Sequence, residues 1–147
     1  MLESILASTR LFYPELTLTA AFCAVILIDL VVRGNRTLPA LTALAGTALA
    51  AYFVAAQGTG ADPAFSGMVA VDGFSRFFKL VILLAAFVVQ LFSLQSFELK
   101  TRKMGAAEYF ALLTAMTLGM TLMAGSSHLL MMYLSLELTS ISSYLLA

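Results

Sequence analysis

The residue whose type and position most directly suggest chemistry is Glu137, the one acid in the apolar stretch 129–147. As an α-helix, this stretch would place Glu137 roughly 12 Å along its length, near the middle of a hydrocarbon core about 30 Å thick. A carboxylate there costs at least a few kcal/mol unless it is protonated, paired or hydrated. Intramembrane acids are functional by default, so Glu137 is the first candidate for a proton-exchanging group.

Three hydroxyl side chains share the helical face of this acid. Tyr133, Ser140 and Tyr144 lie at −4, +3 and +7 from Glu137, spacings that return to one face of a helix. The pattern predicts a hydroxyl-bearing stripe that holds water and does not face lipid. The alternative is a protonated or hydrogen-bonded acid that only specifies helix packing.

Two further residues are weaker candidates for a proton pathway. His128 is the one histidine and directly precedes the stretch 129–147. A lone histidine at a helix start is more often an interfacial hydrogen-bonding residue than a relay or ligand. Lys79 follows Arg76 at the start of another apolar stretch. We expect both cations to snorkel to the headgroups, with a role in an ion path as the alternative.

The composition is that of a membrane protein. The 147 residues are 61% hydrophobic and 11% charged, with a mean hydropathy of +0.98. This composition is well outside the average for soluble globular domains. Net charge is zero, which predicts no nucleic-acid partner and no acidic substrate.

No dinucleotide, phosphate-loop or Cys/His motif is present, so we expect no catalytic, cofactor-binding or metal-ligating residues in this chain. The single cysteine, Cys23, is expected to be a buried structural thiol.

The whole chain, 1–147, is predicted to be one all-α transmembrane domain of about five helices. The second helix carries small residues, Ala43, Gly46 and Ala50 among them, that favour close packing. Residues 58–73 are expected to form a loop. The five apolar stretches lie at about 11–32, 38–57, 74–96, 107–124 and 129–147.

Basic residues predict the orientation. Five of them, Arg33, Arg36, Lys100, Arg102 and Lys103, fall on one side of a five-helix topology, and Arg10, Arg76 and Lys79 fall on the other. Because cytoplasmic loops are enriched in Lys and Arg, the N-terminus is expected outside.

The last stretch stops without a polar flank, so we expect an N-terminal piece of a longer polypeptide. Three acids near helix ends, Glu15, Asp29 and Glu108, are expected to be solvated there.

Several motifs together resemble a known family. They are Val71-Asp-Gly-Phe-Ser-Arg-Phe-Phe-Lys79, Glu108-Tyr-Phe-Ala-Leu-Leu, Thr117-Leu-Gly-Met-Thr-Leu-Met-Ala124 and Tyr133-Leu-Ser-Leu-Glu-Leu-Thr139. Their order and spacing closely resemble subunit N of bacterial NADH-quinone oxidoreductase, respiratory complex I. Pro14-Glu15-Leu16 and Asp29-Leu30 look like the opening of that family. Related cation/proton antiporter subunits share the glutamate-bearing fifth helix.

The resemblance implies an antiporter-like fold of roughly fourteen helices with two inverted five-helix repeats. It implies that Glu137 is the acid of a proton channel, paired with a lysine on a later helix. His128 departs from the family, which usually has Asp or Asn there. The resemblance implies a bacterial inner-membrane location beside other membrane-arm subunits. FMN, iron–sulfur clusters and quinone would belong to partner subunits, so this chain alone would not be catalytic. The alternatives are an antiporter subunit without redox coupling and a purely structural subunit.

Overall fold

The fold is a bundle of antiparallel helices with one short hairpin. A computed structural model describes residues 12–32, 37–57, 62–64, 69–95 and 105–147. Its five helices are each long and apolar enough to cross a membrane, which confirms the expected fold class, and their ends lie within two residues of the expected ones. The elements are α1 Tyr13–Val31, α2 Thr37–Ala56, β1 Asp62–Ala64, β2 Val69–Val71, α3 Gly73–Gln95, α4 Ala106–Ala124 and α5 Leu129–Leu146.

Small residues let α1 and α2 approach each other closely. A Cβ on Gly46 would clash with the Cβ of Ala21 on α1, and Ala40, Ala43 and Ala50 are fully buried. In lipid, association depends on such van der Waals packing because the lipid tails are as apolar as leucine. The prediction of α2 as a packing helix is therefore confirmed.

Helix α3 presents its polar side chains to the protein and its large apolar ones to the outside. Its buried stripe consists of Ser75, Lys79, Leu83, Ala86, Gln90 and Ser93, whereas Phe74, Leu84 and Phe92 are each about two-thirds exposed. In lipid, buried polar groups need protein partners. Thr47 on α2 donates a 3.1 Å hydrogen bond to Gln90, and the hydroxyls of Ser93 and Tyr109 on α4 are 2.8 Å apart.

The expected loop 58–73 contains a structure that the sequence analysis missed. Strands β1 and β2 pair antiparallel, with Asp62 opposite Val71. The N–H of Ala70 donates to the carbonyl of Gly125, 2.9 Å away in the turn between α4 and α5. Asp72 accepts a 2.7 Å hydrogen bond from the N–H of Ser75 at the start of α3. The hairpin thus ties the start of α3 to the α4–α5 turn.

Helix α4 lies at the centre of the bundle and carries α5. It packs against all four other helices, while α5 packs chiefly on α4. A Cβ on Gly119 would clash with the hydroxyl of Thr139 and approach the carbonyl of Ser135 within 3.1 Å. Ser135 and Ser142 are the buried residues of α5. The other residues of α5 are exposed or half-buried in the described part of the chain.

Candidate functional site

Glu137 lies on the side of α5 that faces away from α4. It follows Ser135, which is buried at the α4 contact, by two residues, or about 200° around a helix. Glu137 is half-buried, and Tyr133, Ser140 and Tyr144 on the same stripe are exposed. The structure therefore brings the four candidate residues to one face, and the described helices leave that face largely uncovered.

The carboxylate of Glu137 has one hydroxyl side chain beside it on its own helix. Tyr133 lies one turn earlier on the same face, and its phenol interacts electrostatically with the carboxylate. The one ion pair among the described residues lies elsewhere, so no Lys or Arg in those ranges neutralises Glu137. A carboxylate with a phenolic donor beside it can take up, hold and release a proton, but its charge needs a further partner at this depth.

Lys79 is buried, and the prediction that it snorkels to the headgroups is wrong. Only 1% of the residue is exposed, and its Nζ lies 2.5 Å from Oε1 of Glu15 on α1. Glu15 is also 1% exposed, so the expectation that water or headgroups solvate it is wrong as well. A lysine stem reaches the interface only if its helix face points there, and Lys79 belongs to the inward stripe of α3.

Two helix ends stabilise this pair. Glu15 lies in the first turn of α1, at the positive end of that helix dipole. The Nζ of Lys79 lies 3.0 Å from where a Cβ on Gly125 would stand, and Gly125 is the C-cap of α4, the negative end of its dipole. Glycine leaves the room that the ammonium group needs. The pair thus fastens α1 to α3 beside the α4–α5 turn.

Two polar atoms at the pair have no hydrogen-bond partner in the described part of the chain. They are Oε2 of Glu15 and Oγ of Ser75, both buried. Ser75 and Gly125 also line a cavity of about 560 Å³ between the hairpin, α3, α4 and α5. Lys79 Nζ and Ser75 Oγ therefore both lie beside Gly125, at the edge of this cavity.

The other residues discussed in the sequence analysis lie outside both the Glu137 face and the Glu15–Lys79 pair. Arg76 is half-buried and donates a hydrogen bond to the carbonyl of Ala55 in the last turn of α2. Asp29 and Glu108 are exposed, as expected. Cys23 is exposed, so the prediction of a buried thiol is wrong: α1 buries Leu18, Ala21 and Val25, and Cys23 falls on another face. Within the described ranges no three His, Cys, Asp or Glu side chains come together.

Comparison with known proteins finds relatives over the whole chain. No protein-family model matches the chain. Subunit N of NADH-quinone oxidoreductase from Chlorobium chlorochromatii is 38% identical over 151 residues, which cover 100% of this chain and 29% of that protein. Subunit N 2 from Chloroherpeton thalassium is 41% identical over 140 residues, 92% of this chain and 27% of that protein. The chain is homologous to the N-terminal portion of NADH-quinone oxidoreductase subunit N.

A solved structure gives the same result. Respiratory complex I from Thermus thermophilus with bound aureothin contains a chain that matches with a TM-score of 0.72 and 30% identity, over 91% of this chain and 28% of that one. The present chain spans under a third of the length of the subunit N relatives it matches. It is a multi-pass membrane protein with the fold of the N-terminal part of a complex I membrane subunit.

His128 serves as the N-cap of α5 in this subunit N homologue. Its Nδ1 accepts a hydrogen bond from the N–H of Leu130 at 3.3 Å, which confirms the expected hydrogen-bonding role. Asp and Asn are preferred N-caps for the same reason, since their side-chain oxygens accept from the first turn. The ring nitrogen of His128 therefore supplies the acceptor that an Asp or Asn N-cap would supply.

The cap gives a modest testable prediction. His128→Asn should leave the thermal stability of the full-length subunit unchanged within a few tenths of a kcal/mol, because Asn supplies an equivalent acceptor. His128→Ala should cost about 1 kcal/mol, since the N–H loses its partner. Thermal unfolding in detergent measures both. Equal stability of the Ala and Asn variants would show that the cap contributes nothing.

Sequence reasoning missed the Glu15–Lys79 pair, although a signal for it was present. Ser75, Lys79, Gln90 and Ser93 recur at helical spacing, so the polar residues of α3 share one face. In a helix this apolar, a polar stripe points to the bundle interior. Applied to Lys79, that periodicity predicts burial and a buried partner.

Proposed function

We propose that this protein is a proton-translocating membrane-arm subunit of NADH-quinone oxidoreductase, in which Glu137 exchanges protons. The observation that carries the proposal is the match of the whole chain to subunit N, together with an acid inside the apolar helix α5. Electron transfer from NADH to quinone takes place in other subunits, which hold FMN and the iron–sulfur clusters. This chain binds no cofactor of its own.

The surroundings of Glu137 support this role. Its face of α5 is not used for packing on α4, and it carries the hydroxyls of Tyr133, Ser140 and Tyr144. The subunit N relatives are more than three times as long as the part this chain matches, and we propose that helices from such a further segment cover this face, one of them with a lysine as the charge partner. Lys79 and His128 are weaker members of the pathway: Lys79 is already paired with Glu15, and His128 lies at the start of α5.

The mechanism we propose is electrostatic. A conformational or charge change in a neighbouring subunit moves the cationic partner of Glu137 toward or away from it. Because a nearby opposite charge favours the ionised carboxylate, that movement changes the proton occupancy of Glu137. Tyr133, one turn earlier on the same face of α5, is the hydroxyl of this chain placed to exchange a proton with the carboxylate.

The membrane orientation follows from charge and helix order. We propose a bacterial inner-membrane location with the N-terminus outside, since the loops after α1 and α3 are the richer in Lys and Arg. The hairpin and the starts of α1, α3 and α5 then face outward. A cysteine-labelling experiment on Ser127→Cys, at the exposed α4–α5 turn, reports which side the hairpin occupies.

Co-purification tests the assembly. Affinity isolation of the tagged full-length protein from mild detergent should recover partners with flavin and iron–sulfur absorption. A cation/proton antiporter subunit would come with membrane partners that lack both chromophores. A purely structural subunit would co-purify with the chromophores, but its complex would keep pumping protons after Glu137 is replaced. Isolation without flavin or iron–sulfur absorption would therefore refute the complex I assignment.

A further inference from the structure

An open groove runs along the outer surface between α2 and α3. Its volume is about 410 Å³, and its lining is almost wholly apolar. One wall is formed by Thr47, Ala48 and Ala51 of α2, and the other by Leu80, Leu84 and Phe87 of α3. None of these residues belongs to the Glu137 face or to the Glu15–Lys79 pair.

Arg76 stands at the end of the groove that lies nearest the hairpin. On α3 it precedes Leu80, Leu84 and Phe87 at spacings of four, eight and eleven residues, which return to one helical face. Its guanidinium donates to the carbonyl of Ala55, one turn beyond Ala51 on α2. Arg76 therefore bridges the two walls at the mouth of the groove.

The cation at this mouth keeps unused capacity to bind an anion. Arg76 is half-buried, and no carboxylate in the described ranges forms an ion pair with it. A guanidinium has five N–H donors in a planar fork that suits phosphate oxygens. One donor on the Ala55 carbonyl fixes the side chain and leaves others for a ligand.

The depth of the groove matches one leaflet. Arg76 lies in the first turn of α3, and the eleven residues from it to Phe87 rise roughly 16 Å. Half of a hydrocarbon core is about 15 Å. A headgroup phosphate at Arg76 thus places an acyl chain along the whole groove.

We propose that this groove binds a phospholipid, with its phosphate on Arg76 and one acyl chain between α2 and α3. A further transmembrane helix is the competing occupant. Such a helix is about 10 to 12 Å across with its side chains, and it would have to bring an acid to the height of Arg76 to pair with the guanidinium. A phospholipid satisfies the charge and the apolar walls together.

Photo-crosslinking tests the proposal on the full-length protein, purified with its co-purifying subunits and reconstituted in vesicles. The probe is phosphatidylglycerol with a diazirine in one acyl chain, and the reference is a diacylglycerol with the same chain. Mass spectrometry maps the label. We expect phosphatidylglycerol to label residues 80–87 more than diacylglycerol does, and more than it labels the exposed face of α1.

Matched variants separate the headgroup from the chain. Arg76→Gln should lower phosphatidylglycerol labelling of 80–87 about tenfold, the size of one charge-assisted contact, and should leave diacylglycerol labelling unchanged. Arg76→Lys should lower it less. Ala48→Phe fills the groove and should reduce labelling by both probes, whereas Ala20→Phe, on exposed α1, should reduce neither.

Three labelling results would contradict phospholipid binding in the groove. Equal labelling by the two probes, or unchanged phosphatidylglycerol labelling in Arg76→Gln, would overturn the phosphate contact. Labelling of 80–87 no higher than that of α1 would show that another helix covers the groove. The Arg76 variants decide the question even if Ala48→Phe fails to fold, because Arg76 lies at the groove mouth and not in the packed core.

Discussion

Glu137→Gln in the full-length subunit is expected to lower the proton flux that passes through it by about a hundredfold or more. A positioned proton donor or acceptor contributes about 10² to 10⁴ to the step it serves. Gln keeps the shape of the side chain and a hydrogen-bond acceptor for Tyr133, but it cannot titrate. The measurement is proton uptake or release by vesicles containing the assembled complex, normalised to NADH oxidised.

Two control variants isolate the effect of titration. Glu137→Asp keeps the carboxyl group and should retain part of the flux. Glu108→Gln makes the same chemical change at an exposed acid on α4 and should leave the flux at its normal value. Unchanged pumping in Glu137→Gln, with the complex fully assembled, would contradict the role we propose for this acid.

The second large effect concerns the buried pair of Glu15 and Lys79. Lys79→Met alone should destabilise the protein by about 3 to 5 kcal/mol, because it leaves a buried carboxylate without its cation. The double variant Glu15→Gln/Lys79→Met should recover most of that loss, since replacing both ions removes the uncompensated charge. Thermal unfolding of the full-length protein in detergent gives the comparison.

A control on the same helix distinguishes pairing from the loss of any acid. Asp29→Asn, at an exposed position of α1, should change stability by less than about 0.5 kcal/mol. If Lys79→Met proved neutral, or if the double variant were no more stable than Lys79→Met, the pair would not hold α1 to α3. Either outcome would also remove the link between this pair and the α4–α5 turn.

The helices could be predicted from the sequence because their signal is local. A run of about twenty apolar residues is long enough to span the hydrocarbon core whatever its neighbours are. The alignment of Glu137 with Tyr133 is also local, since positions four apart meet on any helix. Fold class and the candidate face of α5 therefore follow without tertiary information.

The partner of Lys79 could not be predicted, because the periodicity of α3 indicates that Lys79 is buried but does not say which helix supplies the opposite charge. Glu15 and Lys79 are 64 residues apart, and nothing in either local sequence says that α1 and α3 meet at that height. The burial of Cys23 was predicted wrongly for a similar reason. Helix α1 is largely apolar around its circumference, so its composition does not show which side the other helices cover.

The hairpin was missed for a different reason. Its strands are three residues long, too short for an alternating pattern to stand out from a Gly- and Pro-rich loop. Strand β2 is fixed partly from outside, by the hydrogen bond between Ala70 and Gly125. Because contacts with a distant turn help to determine its structure, the local sequence of this segment does not predict the hairpin.

The most direct test is infrared difference spectroscopy on the full-length protein across pH, in H₂O and D₂O, for the unaltered protein and for Glu137→Gln. Proton exchange at this acid predicts a carboxyl C=O band that titrates and shifts in D₂O, and that disappears in the Gln variant. Identical difference spectra for the two proteins would show that Glu137 does not exchange protons.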